Sequence, residues 1–136
     1  MSQPAAVRTH ISEIEPFESS PSEREWMPVR HHFDIRSFGI NAYVARADGQ
    51  ELIEEHTETE DSGTRHEELF FVSTGEAEFV VDGEAIAAPA GTFVYVRDPG
   101  TVRSASARTA GTTVLAMGGE PAAAFEVSPW ERKYID

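Results

Sequence analysis

Residues 67–96 read EELFFVSTGEAEFVVDGEAIAAPAGTFVYV, and this stretch determines the expected fold. It consists of short apolar runs rich in Phe and Val, each closed by residues that favour turns. Asp82-Gly83 is a favourable hairpin turn, because both central residues of a type I′ turn need a positive φ. Short runs of β-branched and aromatic residues between regular turns are typical of antiparallel β-structure.

The same pattern continues on both sides of this stretch. Comparable runs are INAYVA (40–45), ELIEEH (51–56) and TTVLAM (112–117), and no helical stripe precedes the C-terminal tail. Many short antiparallel strands in a chain of 136 residues predict an all-β fold. We expect a closed or two-sheet β-barrel, because closure removes exposed strand edges.

The chain has the length of one domain. Residues 1–25 are polar, acidic and rich in Ser and Pro, which predicts a flexible N-terminal arm. Residues 26–136 form the predicted β-domain. Its C-terminal tail, from about residue 119, can hold one helical turn, and Phe125 and Trp130 are expected to dock it onto the body.

Composition excludes several classes of function. The formal net charge of −13 argues against nucleic acid as a partner, because nucleic-acid binding needs clustered Lys and Arg. No apolar run is long enough to span a membrane, and the N-terminus has no apolar signal segment. The absence of cysteine excludes disulfides and thiolate ligands and fits a cytoplasmic location.

Two polar pairs interrupt the apolar pattern. Alternation along the strand that begins at His66 places His66, Glu68 and Phe70 on one face. In the preceding strand, His56 and Glu58 share a face. Because the two strands belong to one small fold, the two pairs could meet in its interior.

The motifs around these residues resemble those of the cupin superfamily. Glu68, the six residues LFFVST and Gly75 match the second half of the first cupin motif. A hairpin and a Pro-x-Gly turn, Pro89 to Gly91, follow in the order that cupins have. The resemblance covers residues 33–118 and implies a single jelly-roll β-barrel that forms a homodimer through edge strands.

The resemblance also implies a place for a metal. The tripeptide HTE at 56–58 stands where cupins have His-x-His, and His66 lies in the spacer before Glu68. The candidate metal ligands are His56, Glu58, His66 and Glu68. Two imidazoles and two carboxylates suit Fe, Mn, Ni or Zn. The alternative is a metal-free polar cluster in which Glu68 pairs with Arg103.

Arg103 stands where the second cupin motif has a histidine. Arginine is always charged and cannot ligate a metal, so the metal site is degenerate by comparison with the family. Arg103 is instead predicted to bind the ligand, which would favour a small anionic molecule. The predicted aromatic lining of this ligand pocket is Phe70, Phe79, Phe93 and Tyr95.

Three functions stay open at this point. The first is a small-molecule-binding cupin of undetermined ligand with a degenerate metal site, for which catalysis is not required. The second is a metal-dependent cupin enzyme, a dioxygenase or isomerase, with His56, His66 and Glu68 as ligands. The third is a non-catalytic sensor whose acidic arm contacts a partner protein. The sequence identifies no catalytic residue and no substrate.

Overall fold

The structure is a computed structural model that describes residues 4–17, 23–59 and 65–135. Nine strands form within these ranges: β1 (Glu25–Met27), β2 (Gly39–Val44), β3 (Glu51–His56), β4 (Glu67–Thr74), β5 (Glu76–Val81), β6 (Glu84–Pro89), β7 (Phe93–Val96), β8 (Arg103–Ala107) and β9 (Thr113–Gly119). Two short helices are α1 (Val29–Phe33) and α2 (Pro129–Arg132).

The strands form two antiparallel sheets that pack face to face. One sheet has the order β1-β2-β9-β4-β7, and the other has the order β3-β8-β5-β6. The predicted all-β jelly roll is confirmed. Of the two forms expected, the structure has the two-sheet one, because each sheet is hydrogen-bonded only within itself among the described strands.

Three residues with positive φ explain how the chain turns between strands. Asp82 and Gly83, with φ of 51° and 79°, form the tight β5–β6 hairpin that the sequence predicts. Gly75, with φ of 76°, forms the corner where the chain leaves β4 for the other sheet. A Cβ atom at Gly75 would collide with the Thr112 side chain, so glycine is needed there for space as well as for φ.

The composition of β6 and β8 gives little signal for a strand, and β6 is predicted only as the partner of β5 in the Asp82-Gly83 hairpin. Their sequences, EAIAAP and RSASA, are rich in Ala and Ser, which have little intrinsic preference for strands. β8 nevertheless lies between β3 and β5, and its Ala105 and Ala107 are buried. Tertiary pairing determines this strand, because small side chains fit where the two sheets approach each other.

The core lies between the sheets and contains two of the predicted pocket residues. Phe70 and Phe79 have no exposed surface, and their ring centroids are 5.2 Å apart. Leu52, Val72 and Val114 are equally buried around them. Neither Phe lines the main cavity, so their predicted contact with a ligand has no support there. They fill the space between the sheets.

The prediction for Phe93 and Tyr95 is wrong for a reason of strand parity. Val94 and Val96 of β7 point into the core, and Phe93 and Tyr95 are therefore on the outer face, 63% and 45% exposed. The Tyr95 hydroxyl donates a hydrogen bond to Glu67 at 2.5 Å. Both Val and aromatic side chains suit a buried strand, so the sequence could not assign the face.

The two ends of the chain both pack on the body. Ile14, after a 3-10 turn at Ile11–Glu13, is buried in a small apolar cluster with Met27 and Ala42. Other parts of the predicted flexible arm, residues 1–3 and 18–22, lie outside the described residues, and the arm's boundary at residue 25 stays a prediction. No helix within the described ranges is long and apolar enough to cross a lipid bilayer.

A buried ionic network fixes the C-terminal tail. Glu131 of α2 accepts a hydrogen bond from Arg30 Nε at 2.5 Å and another from Asn41 Nδ2 at 3.1 Å. The side chains of Arg30 and Glu131 are only 1% and 4% exposed. Arg30 also donates to the carbonyl of Ile35. The network therefore joins α1, β2 and α2.

We expect Glu131→Gln to lower the free energy of unfolding by about 3 kcal/mol, because it removes the carboxylate charge that faces the buried guanidinium of Arg30. Urea unfolding followed by circular dichroism measures this loss. Glu78→Gln is the matched control, since it removes an exposed ion pair with Arg108 and should cost less than about 1 kcal/mol. Equal losses in the two variants would contradict the importance of the buried network.

Candidate active site

The candidate site begins where β3 ends beside β8. His56 pairs with Arg103 across these strands, after two register shifts along β3. Such bulges change the direction of side chains at the end of a strand. Simple alternation would place Glu54 on the same face as His56, but Glu54 is exposed at the surface, its side chain 65% accessible. The bulges explain this difference.

Three of the four predicted metal ligands converge. His56, Glu58 and Glu68 each contribute a ligand atom, and these atoms all lie within 4.8 Å of one another. His56 Nε2 is 3.8 Å from Oε1 of Glu58 and 3.8 Å from Oε1 of Glu68. Glu58 lies just beyond β3, where its backbone N–H donates to the carbonyl of Pro99.

The hydrogen bond of His56 determines which ring nitrogen is available. Its Nδ1 lies 2.7 Å from the backbone carbonyl of Glu54. Because a carbonyl only accepts, Nδ1 carries the proton, and the lone pair of the neutral ring is on Nε2, toward the two carboxylates. Metal-binding histidines typically have this arrangement, since the second hydrogen bond fixes both tautomer and ring orientation.

Arg103 has a structural position that the sequence only partly predicted. It is fully buried and donates from Nη1 to Glu68 at 2.9 Å, so the predicted pairing of Glu68 with Arg103 is present. Its other donors bind backbone carbonyls: Nε binds Thr101, and Nη2 binds Asp98 and Pro99. A ligand in the main cavity does not reach it, so the expectation that Arg103 recognises an anion loses its basis.

His66 is buried next to the group but is not part of it. Its ring stacks on Phe125, with centroids 5.5 Å apart, and it lines a small cavity of about 50 Å³ with Glu58 and Glu68. Burial lowers the pKa of His66, although Glu58 and Glu120 oppose this effect. His66 therefore supports the floor of the site as a neutral ring.

The electrostatics of the three converging groups are strongly coupled. Burial and then the charge of Glu58 raise the pKa of Glu68 to about 7, against the opposing effects of His56 and Arg103. Burial alone would raise the pKa of Glu58, but hydrogen bonding and charge from His56, together with Glu68 and Arg103, lower it. The two carboxyl groups thus share one proton near neutral pH.

The pKa of His56 is raised, although burial by itself lowers the pKa of a histidine. Burial would lower it, but hydrogen bonds to Glu58 and Glu54 and the charges of both glutamates raise it. Two carboxyl groups and one imidazole can therefore hold, donate or accept protons close to neutral pH. They are also an oxygen and nitrogen donor set for a divalent metal.

These groups form the floor of a cavity of about 510 Å³. Its lining also includes Tyr43, whose pKa is raised, chiefly by burial and then by Glu68, so that its hydroxyl stays protonated. Aromatic rings from both ends of the chain form one wall: Phe17, Trp26, Trp130 and Tyr134. The rim carries Glu23, Arg24, Glu54 and Glu55.

The sequence analysis missed this aromatic wall. Its rings belong to the N-terminal arm, β1 and the C-terminal tail, which are far apart in sequence. The signal that could have found them is the concentration of large aromatics in segments with little other apolar content, since such residues need a surface to cover. Only Trp130 was identified, as an anchor of the tail.

Comparison with known proteins supports the fold. No protein-family model matches the sequence, and no curated protein matches it significantly. Among solved structures, an RmlC-like cupin from Desulfovibrio desulfuricans is 24% identical with a TM-score of 0.61, covering 83% of this chain and 96% of its own. KdgF from a Halomonas species is 16% identical with a TM-score of 0.66, covering 84% and 93%.

A predicted oxalate decarboxylase from Thermotoga maritima is a third similar structure. It is 17% identical with a TM-score of 0.64, and the match covers 82% of this chain and 97% of that one. At these identities the likeness shows the fold alone. The chain has the cupin fold, as its sequence motifs indicated.

We expect Glu68→Gln to change how stability depends on pH. Between pH 4.5 and about 7, folded Glu68 keeps a proton that the unfolded chain releases, so its contribution to the free energy of unfolding falls as pH rises. The fall is at most about 1.4 kcal/mol per pH unit. Relative to the wild type, the variant should therefore gain stability from pH 5 to pH 7.

Urea unfolding at pH 5, 6 and 7 in the presence of EDTA tests this expectation. Glu67→Gln is the matched control. Glu67 is adjacent to Glu68 in β4, but its side chain lies on the opposite face of the sheet and accepts a hydrogen bond from Tyr95. The control should follow the pH profile of the wild type. Parallel profiles for Glu68→Gln and the wild type would contradict the shared proton.

Proposed function

We propose that this cupin-fold protein binds a small molecule in its main cavity, over a divalent metal held by His56, Glu58 and Glu68. The observation that supports this most strongly is the convergence of three ligand atoms within 4.8 Å at the floor of a cavity of about 510 Å³. A cavity of this size suits a small molecule, and its few polar groups would orient that molecule.

The donor set fits a divalent metal. One imidazole nitrogen and two carboxylates suit Fe, Mn, Ni or Zn, and no fourth residue joins this group within the described ranges. The remaining coordination positions would face the cavity and accept a ligand atom. The metal, when bound, would act as a Lewis acid that polarises an oxygen of the ligand.

The surrounding residues would support this role. The carbonyl of Glu54 fixes the ring of His56, and the guanidinium of Arg103 fixes the carboxylate of Glu68. Arg103 then acts behind the ligands and orients one of them, in place of binding the small molecule directly. The metal would displace the proton shared by Glu58 and Glu68, so we expect affinity to rise up to about pH 7.

A second candidate function is proton transfer on the bound molecule without a metal. The pKa of Glu68 is raised to about 7 while that of Glu58 is lowered, which is the pattern of an acid and a base in one site. His56, whose pKa is raised, would pass the proton between them. An isomerisation at a carbon next to a carbonyl group would need only these residues. The homodimer and the sensor role of the arm stay predictions.

Metal analysis of the purified protein tests the first candidate. We expect about one equivalent of a divalent metal per chain after reconstitution, since each chain provides one group of three ligands. His56→Ala and Glu58→Gln should lose most of it, because each removes one of three ligands. His66→Gln should retain it, which separates this site from one that includes His66.

The outcomes are distinct. Loss of metal in His66→Gln, with the fold intact by circular dichroism, would contradict the three-residue site. A wild-type protein that holds no metal after reconstitution with Fe, Mn, Ni and Zn would contradict the proposal that this site binds a divalent metal. In that case, deuterium incorporation from heavy water into small carbonyl compounds, with Glu68→Gln as the inactive control, tests the proton-transfer candidate.

A further inference from the structure

The main cavity has one continuous aromatic wall. The ring of Trp26 lies 5.2 Å from Phe17, 5.2 Å from Trp130 and 6.0 Å from Tyr134, and Phe17 lies 5.2 Å from Tyr134. These rings come from the segment before β1, from β1 itself and from the C-terminal tail. The wall is therefore assembled from distant parts of the chain, around the opening above His56.

The charge of the rim is negative. Glu23, Glu54 and Glu55 line the cavity near its opening, and Arg24 is the only Lys or Arg in the lining that the described residues form. Arg24 is itself neutralised, because Nη1 lies 3.4 Å from Glu54 and 3.9 Å from Glu23. With a divalent metal on the floor, the negative charge of the cavity would be concentrated at the rim, beside the aromatic wall.

Aromatic rings around the cavity already hold cations of the chain. The guanidinium carbon of Arg24 lies 5.4 Å from the ring centroid of Tyr43. The ammonium nitrogen of Lys133 lies 5.9 Å from the centroid of Tyr134. The face of an aromatic ring attracts a cation because the quadrupole of the ring is negative there. The other rings of the wall, Phe17, Trp26 and Trp130, hold no such cation within the described residues, and their faces would attract one from outside.

One further polar group bears on the ligand. Trp26 is 8% exposed, and its indole N–H is buried without a hydrogen-bond acceptor among the described residues. A buried donor without a partner is costly, so a ligand that supplies an oxygen near it would be favoured. The hydroxyl of Tyr43, which stays protonated, is a second donor in the same lining.

We infer that the cavity takes a small organic cation, an amine or quaternary ammonium compound that also carries a hydroxyl or carbonyl oxygen. This inference rests on the proposed function, because it specifies the ligand of the same cavity. The cationic group lies against the aromatic wall under the acidic rim. The oxygen points to the floor, toward His56, Glu58 and Glu68.

The same observations disfavour the anionic ligand that the sequence predicted. The acidic rim would repel an anion at the entrance. Arg103, the cation that was expected to bind it, is fully buried, and its donors are engaged with Glu68 and three backbone carbonyls. An uncharged molecule of the same shape would gain the contact area of the wall but not the attraction of its ring faces.

A set of three molecules of equal shape tests the inference. Choline is the cation. The neutral molecule is 3,3-dimethyl-1-butanol, in which carbon replaces the nitrogen of choline, and the anion is 3,3-dimethylbutanoate. Both tryptophans of the chain line the cavity, so intrinsic fluorescence reports binding directly. We expect choline to bind about tenfold more tightly than the neutral analogue, and the anion to bind most weakly.

Variants connect this preference to the wall. Tyr134→Leu keeps both fluorophores and removes one ring, and it should reduce the advantage of choline over the neutral analogue. Tyr95→Leu is the matched control, because Tyr95 lies on the outer face of its sheet, and it should leave the preference unchanged. Circular dichroism verifies that both variants are folded.

The inference fails if the neutral analogue or the anion binds as tightly as choline, or if choline does not bind at millimolar concentration. It also fails if Tyr95→Leu and Tyr134→Leu change the preference equally. Metal content, measured by elemental analysis on the same samples, is independent of this result. A protein that holds metal without preferring choline contradicts only the inference of a cationic ligand. A protein that prefers choline without holding metal contradicts only the proposed metal site.

Discussion

The fully buried guanidinium of Arg103 is the constraint on which the site depends. A buried charge needs a partner of opposite sign and acceptors for its N–H groups. Glu68 provides the charge, and the carbonyls of residues 98, 99 and 101 provide the acceptors. This one side chain therefore fixes the turn between β7 and β8, the direction of Glu68, and the end of β3 that pairs with it.

The consequences extend to His56 and Glu58. His56 lies opposite Arg103 across the β3–β8 ladder, and Glu58 is held by a backbone hydrogen bond to Pro99 of the same turn. The three groups that form the floor are thus arranged around one buried cation. Arg103 limits the negative charge of two adjacent glutamates, so that they can lie close together without requiring a metal at all times. It makes both proposed functions chemically possible.

The strengths and failures of the sequence analysis follow from strand regularity. β4 is regular from Glu67 to Val72, and the predicted inward set of His66, Glu68 and Phe70 is buried or nearly so. In β3, bulges break the alternation, so Glu54 is exposed while His56 still points inward. In β7, Val and aromatic residues alternate, and hydrophobicity alone could not determine which set faces the core. His66 shows a different limit of prediction from alternation. Its side chain is buried as predicted, but it does not join the converging group of His56, Glu58 and Glu68.

The sequence by itself determined the class of fold, the hairpin at Asp82-Gly83 and most of the polar residues at the floor of the site. These features depend on local backbone geometry and on alternation, which are properties of adjacent residues. Tertiary structure decided the role of Arg103, the exclusion of His66 from the converging group, and the aromatic wall. Each of these depends on distances between segments far apart in the chain, because a buried charge or ring is placed by whichever neighbours complete its contacts.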